Sequence, residues 1–221
     1  MIRNKFSLAD QVFSRIEKDI IQGKYGRGDI LSESEIAESL GVSRTPVREA
    51  LNRLEQENMV EGTGKGIRVI GLSEKDIITM YKARELLEGM CIRESAAAIT
   101  EEDLRKLEDI VEYTEFCIGK NQDAAKIREC DDQFHDTIYK ASADPVLYNI
   151  LIPLHKKVAK YRRLNLSDPS RADKSGKEHR MIFEALKAHD PDAAEKAAVA
   201  HVIKARQVIE KNASSGRTEN G

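Results

Sequence analysis

Leu8, Val12, Ile16 and Ile20 recur every fourth residue and predict an amphipathic helix. Gly23 and the Gly26/Gly28 pair end it in a turn. Ser32-Glu33-Ser34-Glu35 is a capping-box pattern, S-x-x-E, ahead of Ile36, Ala37 and Leu40, and it predicts a short second helix that stops at Gly41. Ser43 is placed to cap a third helix, whose buried stripe is Val47, Leu51 and Leu54. A short helix, a glycine turn and a second helix predict a helix-turn-helix. Beyond it, Met59-Val60-Glu61 and Ile67-Arg68-Val69-Ile70 alternate like strands around Gly62-Thr63-Gly64-Lys65-Gly66. That is the pattern of a hairpin wing with Lys65 near its tip.

Gly71-Leu72-Ser73 breaks the alternation and predicts a linker, with Ser73 capping the next helix. From there the pattern is helical, over 74–98, 101–119, 124–142, 146–165, 171–188 and 192–212. Thr100, Asp144-Pro145 and Asp190-Pro191 supply starts for three of these segments. Residues 213–221 are polar and are expected to form a disordered tail. The expected fold class is therefore mainly α. A winged helix-turn-helix over residues 1–70 and a linker over 71–73 precede an all-α helical bundle over 74–212.

Composition narrows the class without deciding it. Charged residues make up 33 % of the 221, aromatics only 5 %, and Trp is absent, which suits helices packed with Leu, Ile, Val and Ala. No apolar run approaches the ~20 residues of a membrane span, and no signal-peptide pattern opens the chain. The three cysteines, Cys91, Cys117 and Cys130, have no CxxC spacing and suit a reducing compartment. A cytoplasmic protein is expected. Net charge is −2, and within residues 1–70 seven Arg and four Lys stand against three Asp and eight Glu. Bulk charge therefore says nothing for or against nucleic acid, and only the placement of cations can.

That placement is informative. Ser43, Arg44, Thr45 and Arg48 fall in the first turn and a half of the third helix, the end that enters the major groove in such motifs. Arginine can bond guanine O6 and N7 with both arms, while Ser and Thr suit phosphates or base edges. Taken singly, each is more readily a solvated surface residue; together with the wing they point to DNA. Leu31-Ser32-Glu33, Ile36-Ala37 and the run Leu40-Gly41-Val42-Ser43-Arg44-Thr45-Pro46-Val47-Arg48-Glu49-Ala50-Leu51 closely resemble the signature of the GntR family of bacterial regulators. The resemblance implies that Arg44 and Arg48 are the main base readers and that Lys65 and Gly66 are wing contacts. Ser34 departs from it, because the family usually carries Arg there.

In the helical half, Ile127, Asp131, Phe134, His135 and Ile138 share one face, while Asp132 and Asp136 turn away. His179 shares a face with Ile182, Phe183 and Leu186, and His201 falls in line with Ala194, Ala197, Ala198, Ala205 and Val208. One Asp and three of the five histidines thus point inward. A buried carboxylate is costly unless paired or coordinated. From periodicity alone these four are either hydrogen-bonded core residues or the ligands of a divalent metal. Asp131-x-x-Phe134-His135, Glu178-His179, His201 and the opening Arg84-Glu85-Leu86-Leu87-Glu88 resemble the FadR-like subfamily of that family, with its FCD-type ligand-binding domain. The resemblance covers residues 8–210 and implies a divalent ion, Zn or Ni, on Asp131, His135, His179 and His201.

Four protein ligands leave one or two coordination positions for a small carboxylate or hydroxy acid, helped by a cation such as Arg84, Arg162 or Arg163. The function expected is a regulator, by default a repressor, whose affinity for a short palindromic operator answers to that metabolite. A two-fold operator implies a homodimer. A metal-dependent enzyme is the alternative from another class, against which stand the lack of HExxH and of a spare general base. A purely structural metal, or a metal that is itself the signal, is a third possibility. A fatty acyl-CoA effector is disfavoured by so polar a constellation.

Overall fold

The computed structural model describes residues 7–64, 66–120, 124–158 and 168–214. Its contacts divide the chain into two compact units, Met1–Ser73 and Glu74–Gly221.

The first unit begins with α1 (Leu8–Ile21), capped by Ser7, whose hydroxyl accepts from the Asp10 amide while the Asp10 carboxylate accepts from the Ser7 amide. Helix α2 (Glu33–Leu40) is capped by Ser32, and α3 (Arg44–Gln56) starts after Ser43. The hydroxyl of Ser43 makes no capping bond, unlike that of Ser32. Three strands are arranged in the order β1-β3-β2, with β1 (Ile30–Leu31), β2 (Val60–Thr63) and β3 (Gly66–Val69) all antiparallel. The two-residue β1 has no periodicity to betray it, and it pairs Ile30 with Arg68 and Leu31 with Ile67. Val47, Leu51, Leu54 and Met59 are fully enclosed in a core shared with Val12, Ile16 and Val69. Each such side chain contributes about 1.5–3 kcal/mol by leaving water. Arg53 pins α1 to α3, reaching Asp10 Oδ1 at 2.6 Å and lying 4.2 Å over the Phe13 ring.

The second unit, over the described residues, is helical: α4 (Glu74–Ala98), α5 (Glu101–Gly119), α6 (Ala124–Ala141), α7 (Pro145–Lys157), α8 (Pro169–Lys187) and α9 (Pro191–Ser214). Thr100, Asp144 and Asp168 cap α5, α7 and α8 through their side chains, and the last two precede a proline whose missing N–H is harmless in the first turn. Helix α9 packs along α4 and α8, α8 against α5, and α5 against α6. Gly89 permits the close approach of α9, since a Cβ there would stand 2.8 Å from Val199 Cγ2. Two boundaries differ from the expected ones by two residues. Helix α8 starts at Pro169 because Asp168 caps it, and α9 runs to Ser214, into residues read as tail. The described part of α7 ends at Lys157, and residues 159–167 and 215–221 lie outside the described residues.

Candidate functional site

At the start of α3, Ser43, Arg44, Thr45 and Arg48 are all exposed, on the side away from the buried Val47, Ala50 and Leu51. Both arginines are held by one residue that the sequence pattern did not single out. Glu33 Oε1 accepts from Arg48 Nε at 3.0 Å, and Glu33 Oε2 accepts from Arg48 Nη2 at 2.9 Å and from Arg44 Nη2 at 3.1 Å. The Arg48 hydrogen bonds hold the Glu33 carboxyl below its ordinary value despite some desolvation, and Glu33 in turn raises Arg48. Glu33 lies in the S-E of the signature, but its partners are 11 and 15 residues away, beyond the reach of any local pattern. Ser34 bonds only sideways here, to the Ser32 hydroxyl at 2.8 Å.

In the wing, Gly66 has φ 137°, and a Cβ on it would meet Ile30 Cγ2 at 2.8 Å and the Leu31 carbonyl at 3.3 Å. Glycine is thus required there by the packing of β1 against β3, whatever else the residue contacts. Lys65 lies outside the described residues.

In the second unit, His135 from α6, His179 from α8 and His201 from α9 come together in the interior with Asp131 of α6 nearby, each no more than 5 % exposed. At ligand distance, Asp131 groups with Asp132 and His155 and not with all three of these histidines. The ring centroids of His135, His179 and His201 are 5.3, 5.5 and 4.7 Å apart, and a nitrogen of each lies within 4.8 Å of those of the other two. Asp131 Oδ1 is 3.6 Å from His179 Nε2. His201 donates from Nδ1 to Glu178 Oε2 at 2.8 Å, which leaves its Nε2 as the lone-pair nitrogen. His135 Nδ1 lies 3.3 Å from the Tyr139 hydroxyl. The Nε2 atoms of His135 and His179 are buried with no hydrogen-bond partner. An unpaired buried polar atom costs about 1–3 kcal/mol. Burial, reinforced by the neighbouring imidazoles, keeps His135 well below the ordinary imidazole value, and burial with His201 nearby pushes His179 down to about 3. Neutral imidazoles with free lone pairs beside a carboxylate are the donor set that a divalent transition ion takes, so the residues present fit a metal.

Beside this group lies a second polar layer. Arg84, fully buried on α4, donates from Nε to Glu88 Oε1 at 2.5 Å and from Nη2 to His155 Nδ1 at 3.4 Å. Glu88 stands beside His135, Oε2 to Nδ1, at 3.6 Å. His155 donates from Nε2 to Asp132 Oδ1 at 3.2 Å, and its ring is 4.7 Å from that of His135. The sequence pattern left Glu88 and His155 out of the site, so four histidines rather than three are buried in this region. Both were legible: Ile77, Tyr81, Arg84, Glu88 and Ile92 form one stripe of α4, and Leu147, Leu151 and His155 one stripe of α7. Arg162 and Arg163 lie outside the described residues.

The chain matches two family models, that of bacterial regulatory proteins of the gntR family over residues 8–69 and that of the FCD domain over residues 79–204. It is 31 % identical over 192 residues to the HTH-type transcriptional regulator YdhC of Bacillus subtilis (strain 168), covering 86 % of each chain. It is 35 % identical over 154 residues to the gluconate operon transcriptional repressor of the same organism, covering 68 % of this chain and 63 % of that one. Among solved structures it resembles E. coli McbR/YncC, with a TM-score of 0.77, 23 % identity and coverage of 94 % of this chain and 99 % of that one, a likeness of fold.

Proposed function

This chain belongs to the GntR family of bacterial regulatory proteins and carries an FCD domain, and from that premise we propose how its DNA binding is controlled. It is a DNA-binding transcriptional regulator and not an enzyme. In our reading it is a repressor that acts in the cytoplasm as a homodimer on a short palindrome. Arg44 and Arg48 read bases, Ser43 and Thr45 contact phosphate or base edges, and Lys65 and Gly66 meet the backbone from the wing. Leu86 and Met90, exposed one turn apart on α4, are consistent with a face that a second copy covers. Among the described residues, no helix is long and apolar enough to cross a membrane.

Asp131, His135, His179 and His201 would hold a divalent ion, Zn or Ni. The observation that carries this is the pair of buried, unpartnered Nε2 atoms on His135 and His179. When bound, such an ion supplies a positive charge able to accept a carboxylate oxygen. The chain's own residues do the rest. Glu178 fixes the His201 tautomer, and Glu88 and Tyr139 flank the Nδ1 side of His135. Arg84, paired with Glu88, brings a cation to the same interior. A small carboxylate or hydroxy acid is the effector class that this donor set suits, and the gluconate operon repressor among the relatives points the same way.

Control would run through α4, which carries Arg84 and Glu88, is tied to α9 by Arg206 and Glu85, and comes directly after the residues joining the two units. An effector that binds one arrangement of these helices better than another shifts the population accordingly. Elemental analysis of untagged wild type beside His179→Ala tests the metal. About one divalent ion per chain, lost in the variant, is expected; no ion in either after reconstitution would reduce the four residues to core polar groups. A metal that is structural or is itself the signal is separated by titrating it into metal-free protein on operator DNA. A graded change in affinity marks a signal, and a higher melting temperature alone marks a structural ion.

A further inference from the structure

Arg171 sits in the first turn of α8, two turns ahead of His179 and on the same face. It is 8 % exposed, and its Nη2 donates to Glu178 Oε2 at 3.1 Å. Its Nε and Nη1, which carry three of the five N–H bonds of a guanidinium, are buried and have no partner. Arg84 is different, because Glu88 already balances its charge and His155 takes a second N–H. The Glu178 oxygen that holds Arg171 also accepts from His201 Nδ1, so a single atom separates the guanidinium from an imidazole of the cluster. Lys204 Nζ approaches the other Glu178 oxygen at 3.5 Å, so two cations converge on one carboxylate and positive charge is left over. Ser175, also buried, lies between Arg171 and His179 along α8 and continues a polar strip toward the cluster.

Buried donors without acceptors, on the side of the histidine cluster where positive charge is in excess, describe a seat for an anion. We propose that Arg171 receives the carboxylate of the effector, a small hydroxy acid whose other oxygens face the histidine cluster. This rests on the reading of the effector as a carboxylate and adds the residue that selects for it.

The test is calorimetric titration of the zinc-loaded full-length protein with D-gluconate, glycolate and citrate, and with uncharged D-glucitol as control. Wild type is expected to bind at least one acid and not glucitol. Arg171→Gln should weaken that acid about tenfold or more while zinc content and melting temperature stay near wild type, with Arg171→Lys intermediate. Unchanged acid affinity in Arg171→Gln would overturn the role of Arg171 and leave the carboxylate reading intact. Binding of none of the acids by wild type would overturn the carboxylate reading, and this inference with it. Loss of zinc or of fold in both variants would make Arg171 a structural counter-ion of Glu178 and also overturn the proposal.

Discussion

Arg48 spends the DNA-free state with its guanidinium laid along Glu33. Exposed ion pairs of this kind add little to stability, so the clasp matters through where it holds the two arginines. Arg48→Ala is expected to cost about 1–3 kcal/mol of specific operator binding, with little change on random DNA. A fluorescence-anisotropy titration against both DNAs would show it, and an unchanged ratio of the two affinities would sink the role. Glu33→Gln removes the anion that Arg44 and Arg48 share and a negative charge close to the DNA phosphates. Non-specific affinity should therefore rise while the specific-to-nonspecific ratio falls. A ratio equal to wild type would mean that Glu33 does not set the reach of the arginines.

At the scale of elements, the wing depends on a two-residue strand and one glycine. Gly66 lets β3 run close under Ile30 and Leu31 with a backbone angle that L side chains rarely adopt. Gly66→Ala should cost about 1–3 kcal/mol from backbone strain, before any displacement of Ile30. The cost should appear as a lower urea midpoint, and an unaltered midpoint would mean that the wing relaxes freely. Helix α2 stands on a more local device, the Ser32 hydroxyl at its N-terminus. Ser32→Ala is expected to cost about 1 kcal/mol, read in the same titration.

For the whole molecule, the buried imidazoles couple stability to pH. His135 and His179 are held neutral by burial, so their folded values lie below the ~6.5 of an unfolded histidine. Below that pH the unfolded chain takes up protons that the folded, metal-free bundle refuses, and stability falls as pH drops. The stabilisation is present above about pH 6.5 and should be lost steadily toward pH 5. Urea midpoints across that range would record it, and His135→Gln with His179→Gln should flatten the profile. A wild-type profile already flat would contradict the burial of neutral histidines. Binding of an ion adds to stability by mass action, about 4 kcal/mol at a thousandfold excess over Kd.

Sequence alone determined the features that depend on neighbours within a few residues. The stripe Val47, Leu51 and Leu54, the caps at Ser32, Thr100 and Asp144, and the inward turn of Asp131, His135, His179 and His201 all come from helix periodicity and end chemistry. The family signature named Arg44 and Arg48 by the same local route. The missed features of the site are those whose partners lie far along the chain. Strand β1 exists only because β3 offers it a ladder, and Glu33 matters because α3 brings two arginines back to it. Three helices, α4, α7 and α8, bring Glu88, His155, Glu178 and Arg171 around the histidines. A helix pattern says which side chains face inward; only the packing of helix on helix decides which of them meet, because that depends on axial offset and crossing angle rather than on period.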